Sequence, residues 1–112
     1  MVVSKKDLFD EVFQERANLF KTLAHPARLQ ILHFLAETKT CISGDISEEL
    51  PLSRTTVNQH LKELKDAGLI VGTTEGVKTC YCLNIENFEE LKKASETFLN
   101  EINVSSNFEC KI

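Results

Sequence analysis

The chain has 112 residues, 42% of them hydrophobic and 27% charged, with a formal net charge of −4. That is the length of one domain with enough apolar content for one core, which excludes a disordered chain. No apolar run approaches the roughly 18 residues that span a bilayer, and Met1–Asp7 carries no apolar stretch able to act as a signal peptide, so a cytoplasmic protein with no membrane partner is expected.

Residues from Lys5 to Leu23 read as a helix, with Phe9, Val12, Phe13, Phe20 and Leu23 recurring at helical spacing and Leu8 and Leu19 widening the stripe. A stripe this wide on a terminal helix needs more than one partner. The rest of its own domain is one, and a second chain is the other. His25-Pro26 ends the helix, because proline lacks an N–H and restricts the residue before it. Ala27 to Leu35 form a second helix with Leu29, Ile31, Leu32 and Leu35 as apolar positions, and residues 37–43 read as a polar turn.

A short helix over Ser43–Leu50 buries Ile46 and Leu50, and Pro51-Leu52 turns the chain. Ser53 is then a good N-cap for a helix over Arg54–Ala67. Its buried stripe is Val57, Leu61 and Leu64, at i, i+4 and i+7. Gly68 ends it, because a left-handed backbone costs glycine little. Leu69-Ile70-Val71 reads as a strand, Glu75-Gly76 as a turn and Lys78–Leu83 as the return strand. A last helix runs from Phe88 to Ile102 on a stripe of Leu91, Ala94, Phe98, Leu99 and Ile102. The expected fold is mainly α with a small β-hairpin (α+β), in the order ααααββα. Residues 1–103 form one winged helix-turn-helix domain, with the helix-turn-helix at 43–67, the wing at 69–84 and a loose polar tail at 104–112.

The helix after Ser53 carries the candidate chemistry. Opposite its apolar stripe it presents Arg54, Thr55, Asn58, Gln59 and Lys62, with Thr56 and His60 on one flank. Asn and Gln pair with adenine edges, Arg pairs with guanine, and Thr touches the thymine methyl. Lys62 and Lys65 suit phosphates, which position a helix without reading sequence. The charge distribution agrees. Residues 51–85 carry four Lys/Arg against three Asp/Glu, whereas residues 1–50 carry six against eight and residues 86–112 three against six. Any phosphate-binding face therefore lies in the middle section. With Ser53 and Lys78 added, these residues are the expected contacts to double-stranded DNA. Between Val71 and Thr79 the wing has one cation, Lys78, and one anion, Glu75, so its phosphate contacts should be weak.

The segment Thr22-Leu-Ala-His-Pro-Ala-Arg-Leu-Gln-Ile-Leu32 resembles the opening motif of the arsenic-repressor (ArsR/SmtB) family. Leu52-Ser-Arg-Thr-Thr-Val-Asn-Gln-His-Leu-Lys-Glu-Leu-Lys-Asp-Ala-Gly-Leu-Ile70 resembles that family's recognition helix and its exit. Glu75-Gly76 and Tyr81-Cys82-Leu83-Asn84 resemble its wing. The resemblance covers about residues 17–85. It implies a dimeric winged-helix repressor joined through its terminal helices, bound to an operator and released by a small effector that the sequence does not name. Surplus apolar residues on the terminal helices, Leu8, Phe9, Phe13, Leu91, Phe98 and Leu99, fit such an interface over helices 5–23 and 88–102.

The sequence departs from the family at its metal sensors. Many members carry Cys-x-Cys before the recognition helix. In Thr40-Cys-Ile-Ser-Gly-Asp-Ile46 the two positions are held by Ile42 and Gly44, with Cys41 one place off. Residues 86–103 contain no His and no Asp, the ligands that other members carry on the last helix. No metal or other cofactor is expected. Of the four cysteines, Cys41, Cys80, Cys82 and Cys110, no two make a Cys-x-x-Cys, and all are expected to be thiols in a reducing compartment. Cys80 and Cys82 share a strand face with Lys78, with Cα atoms ~6.5–7 Å apart, while Tyr81 and Leu83 face the core. The pair is either a soft-ion site for arsenite or copper(I), completed by a third thiol, or simply two reduced thiols. Among the histidines, His25 caps or packs locally in its turn and His33 stands alone. A winged-helix module that binds protein rather than DNA is the alternative, favoured only by the acidic balance and the weakly charged wing. No catalytic set of side chains and no phosphate-binding glycine loop is present, so an enzyme is not expected.

Overall fold

The computed structural model describes residues 8–38, 42–43, 46–75 and 78–102. Helix α1 spans Glu11–Leu23 and is capped by Asp10, whose carboxylate accepts from the Val12 amide at 3.2 Å. The helix therefore starts six residues later than the apolar periodicity indicates. The Asp10 cap lies inside the stripe, so Leu8 and Phe9 precede the helix. Helix α2 spans Pro26–Thr38. Proline serves at its first position, where no N–H is needed, and His25 Nδ1 accepts from the Ala27 amide at 3.0 Å.

Strand β1, Ile42–Ser43, follows, and then one turn of 3-10 helix at Ile46–Glu49. This replaces the longer helix expected over 43–50 and the end of the polar turn expected over 37–43. Helix α3 spans Arg54–Asp66. Ser53 Oγ accepts from the Thr56 amide at 3.3 Å, as an N-cap does. At the other end the Gly68 amide donates to Lys65 O (2.9 Å) and the Leu69 amide to Leu64 O (3.0 Å). Those are the two bonds of a Schellman cap, whose left-handed residue is Gly68 at φ +80°.

Strands β2, Ile70–Glu75, and β3, Lys78–Leu83, form the antiparallel hairpin, with Ile70 opposite Leu83 and Gly72 opposite Tyr81. β1 pairs with the other edge of β3, Ile42 opposite Tyr81, giving a three-stranded sheet in the order β1-β3-β2. The extra strand departs from the two-stranded wing read from the sequence. A two-residue strand has no period of its own and exists only through its partner. Cys80, Tyr81, Cys82 and Leu83 are all half-buried, Tyr81 and Leu83 packing against the core; neither cysteine is in a disulfide. Cys41, Cys110 and the tail at 104–112 lie outside the described residues.

Helix α4 spans Ile85–Glu101, capped by Asn84, and so begins three residues before the expected Phe88. Its first turn is tied to the exit of α3: Asn87 Nδ2 donates to Gly68 O at 2.9 Å, and the Asn84 amide donates to Leu69 O at 2.9 Å. The core gathers Ile31, Leu32 and Leu35 of α2, Ile46 and Leu50, Val57, Leu61 and Leu64 of α3, Leu69 and Ile70, and Leu91 of α4. α1 contributes no fully buried residue; Leu19 and Leu23 pack on the core from its edge.

A Cβ at Gly68 would stand 2.9 Å from Asn87 Nδ2 on a left-handed backbone. Gly68→Ala should therefore cost about 1–2 kcal/mol of stability from backbone strain alone, measured as a shift in the urea midpoint at unchanged slope.

Candidate nucleic-acid interface

The two ends of α3 settle which side chains it shows. With Val57, Leu61 and Leu64 each at most 2% exposed, the opposite face must point to solvent. Arg54, Thr55, Asn58, Gln59 and Lys62 are all exposed there, as is Ser53 at the cap. Thr56 is half-buried, and its hydroxyl lies 3.0 Å from Ser53 Oγ, so both hydroxyls belong to the cap as well as to the surface. Lys78 begins β3, opposite Glu75, and its side chain lies outside the described residues.

His60 departs from the expected contact set. It is buried, and its ring turns inward between α3 and α2. A residue three after Val57 lies about 60° from it around a helix, at the border of the arc that the core occupies. Its Nδ1 accepts from Nε of Arg28 at 3.1 Å, and its ring centroid is 4.2 Å from that of His25. Burial, then the neighbouring His25 and Arg28, lower its pKa from the ordinary imidazole value, against a small opposing pull from Glu63. Arg28 was not singled out in the sequence, because a lone arginine on an apolar helix carries no periodic signal.

The surface of α1 and α4 is the second exposed feature. Leu8, Phe9, Phe13 and Leu99 are each more than half exposed, and Val12 and Ile102 join them. Phe98 is half-buried against Phe20, with centroids 5.6 Å apart, and the Arg16 guanidinium lies 5.8 Å from the Phe98 ring centre. Leu91 does not belong with these. At 5% exposure it is part of its own chain's core, because the first half of α4 packs inward. Arg16 and Glu101 pair at 2.8 Å and tie α1 to α4. The hydrogen bond from Arg16 lowers the Glu101 pKa, so the pair's small contribution is complete above the ordinary carboxylate value and is lost as pH falls through the lowered one.

The family's two metal sensors find no matching ligands. Ile42, at one of the two cysteine positions, is in β1, and α4 carries glutamates but no His or Asp. Among the described residues no three His, Cys, Asp or Glu side chains are grouped to hold a metal ion, and no helix is long and apolar enough to cross a membrane.

A short helical turn, a capped helix with an exposed polar face and an antiparallel hairpin directly after it define a winged helix-turn-helix DNA-binding domain. The family model for bacterial regulatory proteins of the arsR family matches residues 25–71. The arsenical resistance operon repressor of Bacillus subtilis (strain 168) is 35% identical over 82 residues, covering 72% of this chain and 77% of the repressor. The crystal structure of Rv0081 from Mycobacterium tuberculosis superimposes with a TM-score of 0.61 at 26% identity, covering 84% of this chain and 94% of that one. The solution structure of a homodimeric winged helix-turn-helix DNA-binding domain, Mb0332 of Mycobacterium bovis, shares the fold (TM-score 0.61, 23% identity, 98% of each chain). The chain belongs to the arsR family of bacterial regulatory proteins. It is a transcriptional regulator and not an enzyme.

Because the Ser53 side chain satisfies an otherwise orphaned amide of α3, Ser53→Ala should lower stability by about 1 kcal/mol. Ser53→Asp, which keeps the acceptor, should restore it; chemical denaturation of the two variants measures the difference.

Proposed function

We propose that the chain is a sequence-specific repressor that binds its operator as a two-fold homodimer and leaves it when an effector binds. The observation that carries this reading is the division of α3 into a buried apolar face and an exposed face of Arg54, Thr55, Asn58, Gln59 and Lys62. Laid in a major groove, Asn58 and Gln59 read base edges and Lys62 holds phosphate. Ser53, Thr55 and Arg54 approach the groove from the N-terminal end of the helix, where the backbone amides favour a phosphate. Lys78, at the start of β3, is the wing's own cation. The described part of the tip adds only Glu75 beside it, so the wing contributes little to affinity.

The dimer reading rests on α1 and α4. Leu8, Phe9, Phe13 and Leu99 are exposed among the described residues, and Phe98 packs on Phe20 beside them. Closed two-fold pairing through these helices covers the patch and sets two copies of α3 on one face of the duplex. The homodimeric fold neighbour and the name of the Bacillus repressor agree with the dimer and with repression respectively.

Selection of bound duplexes from a random pool tests sequence-specific binding directly; recovery of no common sequence would reject it. On the selected duplex, Asn58→Ala or Gln59→Ala should relax base preference by about 1–3 kcal/mol per bidentate contact. Lys62→Ala should weaken all sequences alike and flatten the salt dependence. Identical behaviour of the two kinds of variant would show the roles to be misassigned. In sedimentation at micromolar concentration the wild type should run as a dimer and Phe13→Asp as a monomer.

A further inference from the structure

Three side chains from separate elements meet behind α3. His60 projects inward from the middle of the helix, beside Val57 and Leu64, and accepts at Nδ1 from Arg28 Nε. Its ring leans on that of His25, in the turn between α1 and α2, at an interplanar angle of 45°. Arg28 Nη1 donates to the carbonyl of Thr22, in the last turn of α1, at 3.1 Å. The cluster thus joins α1, the turn, α2 and the recognition helix through one arginine and two imidazoles.

The donors settle where the protons are. A guanidinium has donors and no acceptor, so Nδ1 of His60 is bare and the ring is the neutral Nε2–H tautomer. The Ala27 amide likewise only donates, so Nδ1 of His25 is bare as well. A proton added at His60 Nδ1 would set two donors against each other and place an imidazolium beside a guanidinium. The charged or titratable groups facing His60 are His25 from the turn, Arg28 from α2 and Glu63 from α3 itself. Because the folded-state pKa is lowered, the neutral link is complete above the ordinary value of about 6.5 and is lost as pH falls through the lowered one.

In a two-fold dimer the two recognition helices must enter successive major grooves one turn of DNA apart. The orientation of α3 on α1 and α2 is therefore part of the binding site, and the Arg28–His60 bond adds a polar link between α2 and α3 to the apolar packing that seats the helix. We propose that His60 is a positioning residue for the recognition helix, and that protonation of its ring breaks the bond to Arg28 and releases the operator. This rests on the reading of the chain as an operator-binding dimer.

The test uses the full chain and a fluorescent duplex selected from a random pool by the wild-type protein at about pH 7.5, with affinity followed downward at constant ionic strength through the pH range in which NMR shows His60 gaining its proton. Wild-type affinity should fall with that same midpoint. Acid otherwise adds positive charge and strengthens phosphate binding, so a fall runs against the general trend. In His60→Asn, whose Oδ1 keeps an acceptor near Nδ1 but does not titrate, the fall should disappear, leaving affinity level or rising on acidification. A wild-type affinity that holds or rises on acidification, or an equal fall in His60→Asn, overturns the proposal.

A second measurement needs neither the variant nor DNA. Nitrogen-resolved NMR of the wild-type imidazoles should show His60 Nδ1 unprotonated at about pH 7.5. As it gains a proton, the amide signals of α3 should move with the same midpoint. A protonated Nδ1 at the higher pH, or α3 signals that ignore the titration, also overturns the proposal. If no duplex is ever selected, the operator reading fails, while the NMR result still decides the link between His60 and α3.

Discussion

Burial of Val57, Leu61 and Leu64 is the interaction on which the rest of this molecule depends. Together they insert one face of α3 between α2, the 3-10 turn and the root of β2, and each is effectively removed from water. At about 1.5–3 kcal/mol for each fully buried aliphatic side chain, this face outweighs any single polar contact on the helix. The caps complete the constraint. Ser53 begins the helix and Gly68 ends it in a Schellman turn, so α3 can neither slide nor lengthen. Its polar face is thereby aimed outward without any stabilising contact of its own. A surface meant for DNA is held in place from behind.

The helices at the two ends are attached differently. α1 has no fully buried residue and α4 has one, Leu91. Their mutual contact includes the Phe20–Phe98 pair, the Arg16 guanidinium above Phe98 and the Arg16–Glu101 ion pair, whose carboxylate is exposed to screening by solvent. Elements this lightly held by their own chain, with aromatic side chains facing water, gain most from a second copy. The acid-rich α4 also carries its charge on an element other than the recognition helix, which reconciles a net charge of −4 with a DNA-binding face.

The polar cluster behind α3, in which His60 is buried and Arg28 half-buried, joins these two halves. His60 and Arg28 occupy a place where a fully apolar contact would serve stability equally well. Through them the seat of the recognition helix is tied to His25, in the turn between α1 and α2, and to the Thr22 carbonyl, in the last turn of α1.

What the sequence by itself determined is what local physics determines. Ser53 and Gly68 bound α3 through hydrogen bonds within a few residues of themselves, Pro26 separates α1 from α2, and the i, i+4, i+7 spacing of Val57, Leu61 and Leu64 orients the helix. The exposed Asn58, Gln59 and Lys62 follow from that spacing. The tertiary structure decided whatever required a distant partner. β1 exists only because β3 offers it an edge. Leu91 enters the core, while Leu99 on the same helix stays in water, because α4 leaves the body after its first turns. His60 sits at the border of the inward arc, where periodicity cannot choose between solvent and core. It turns inward because Arg28, thirty-two positions earlier, supplies a donor that only the folded chain brings within reach.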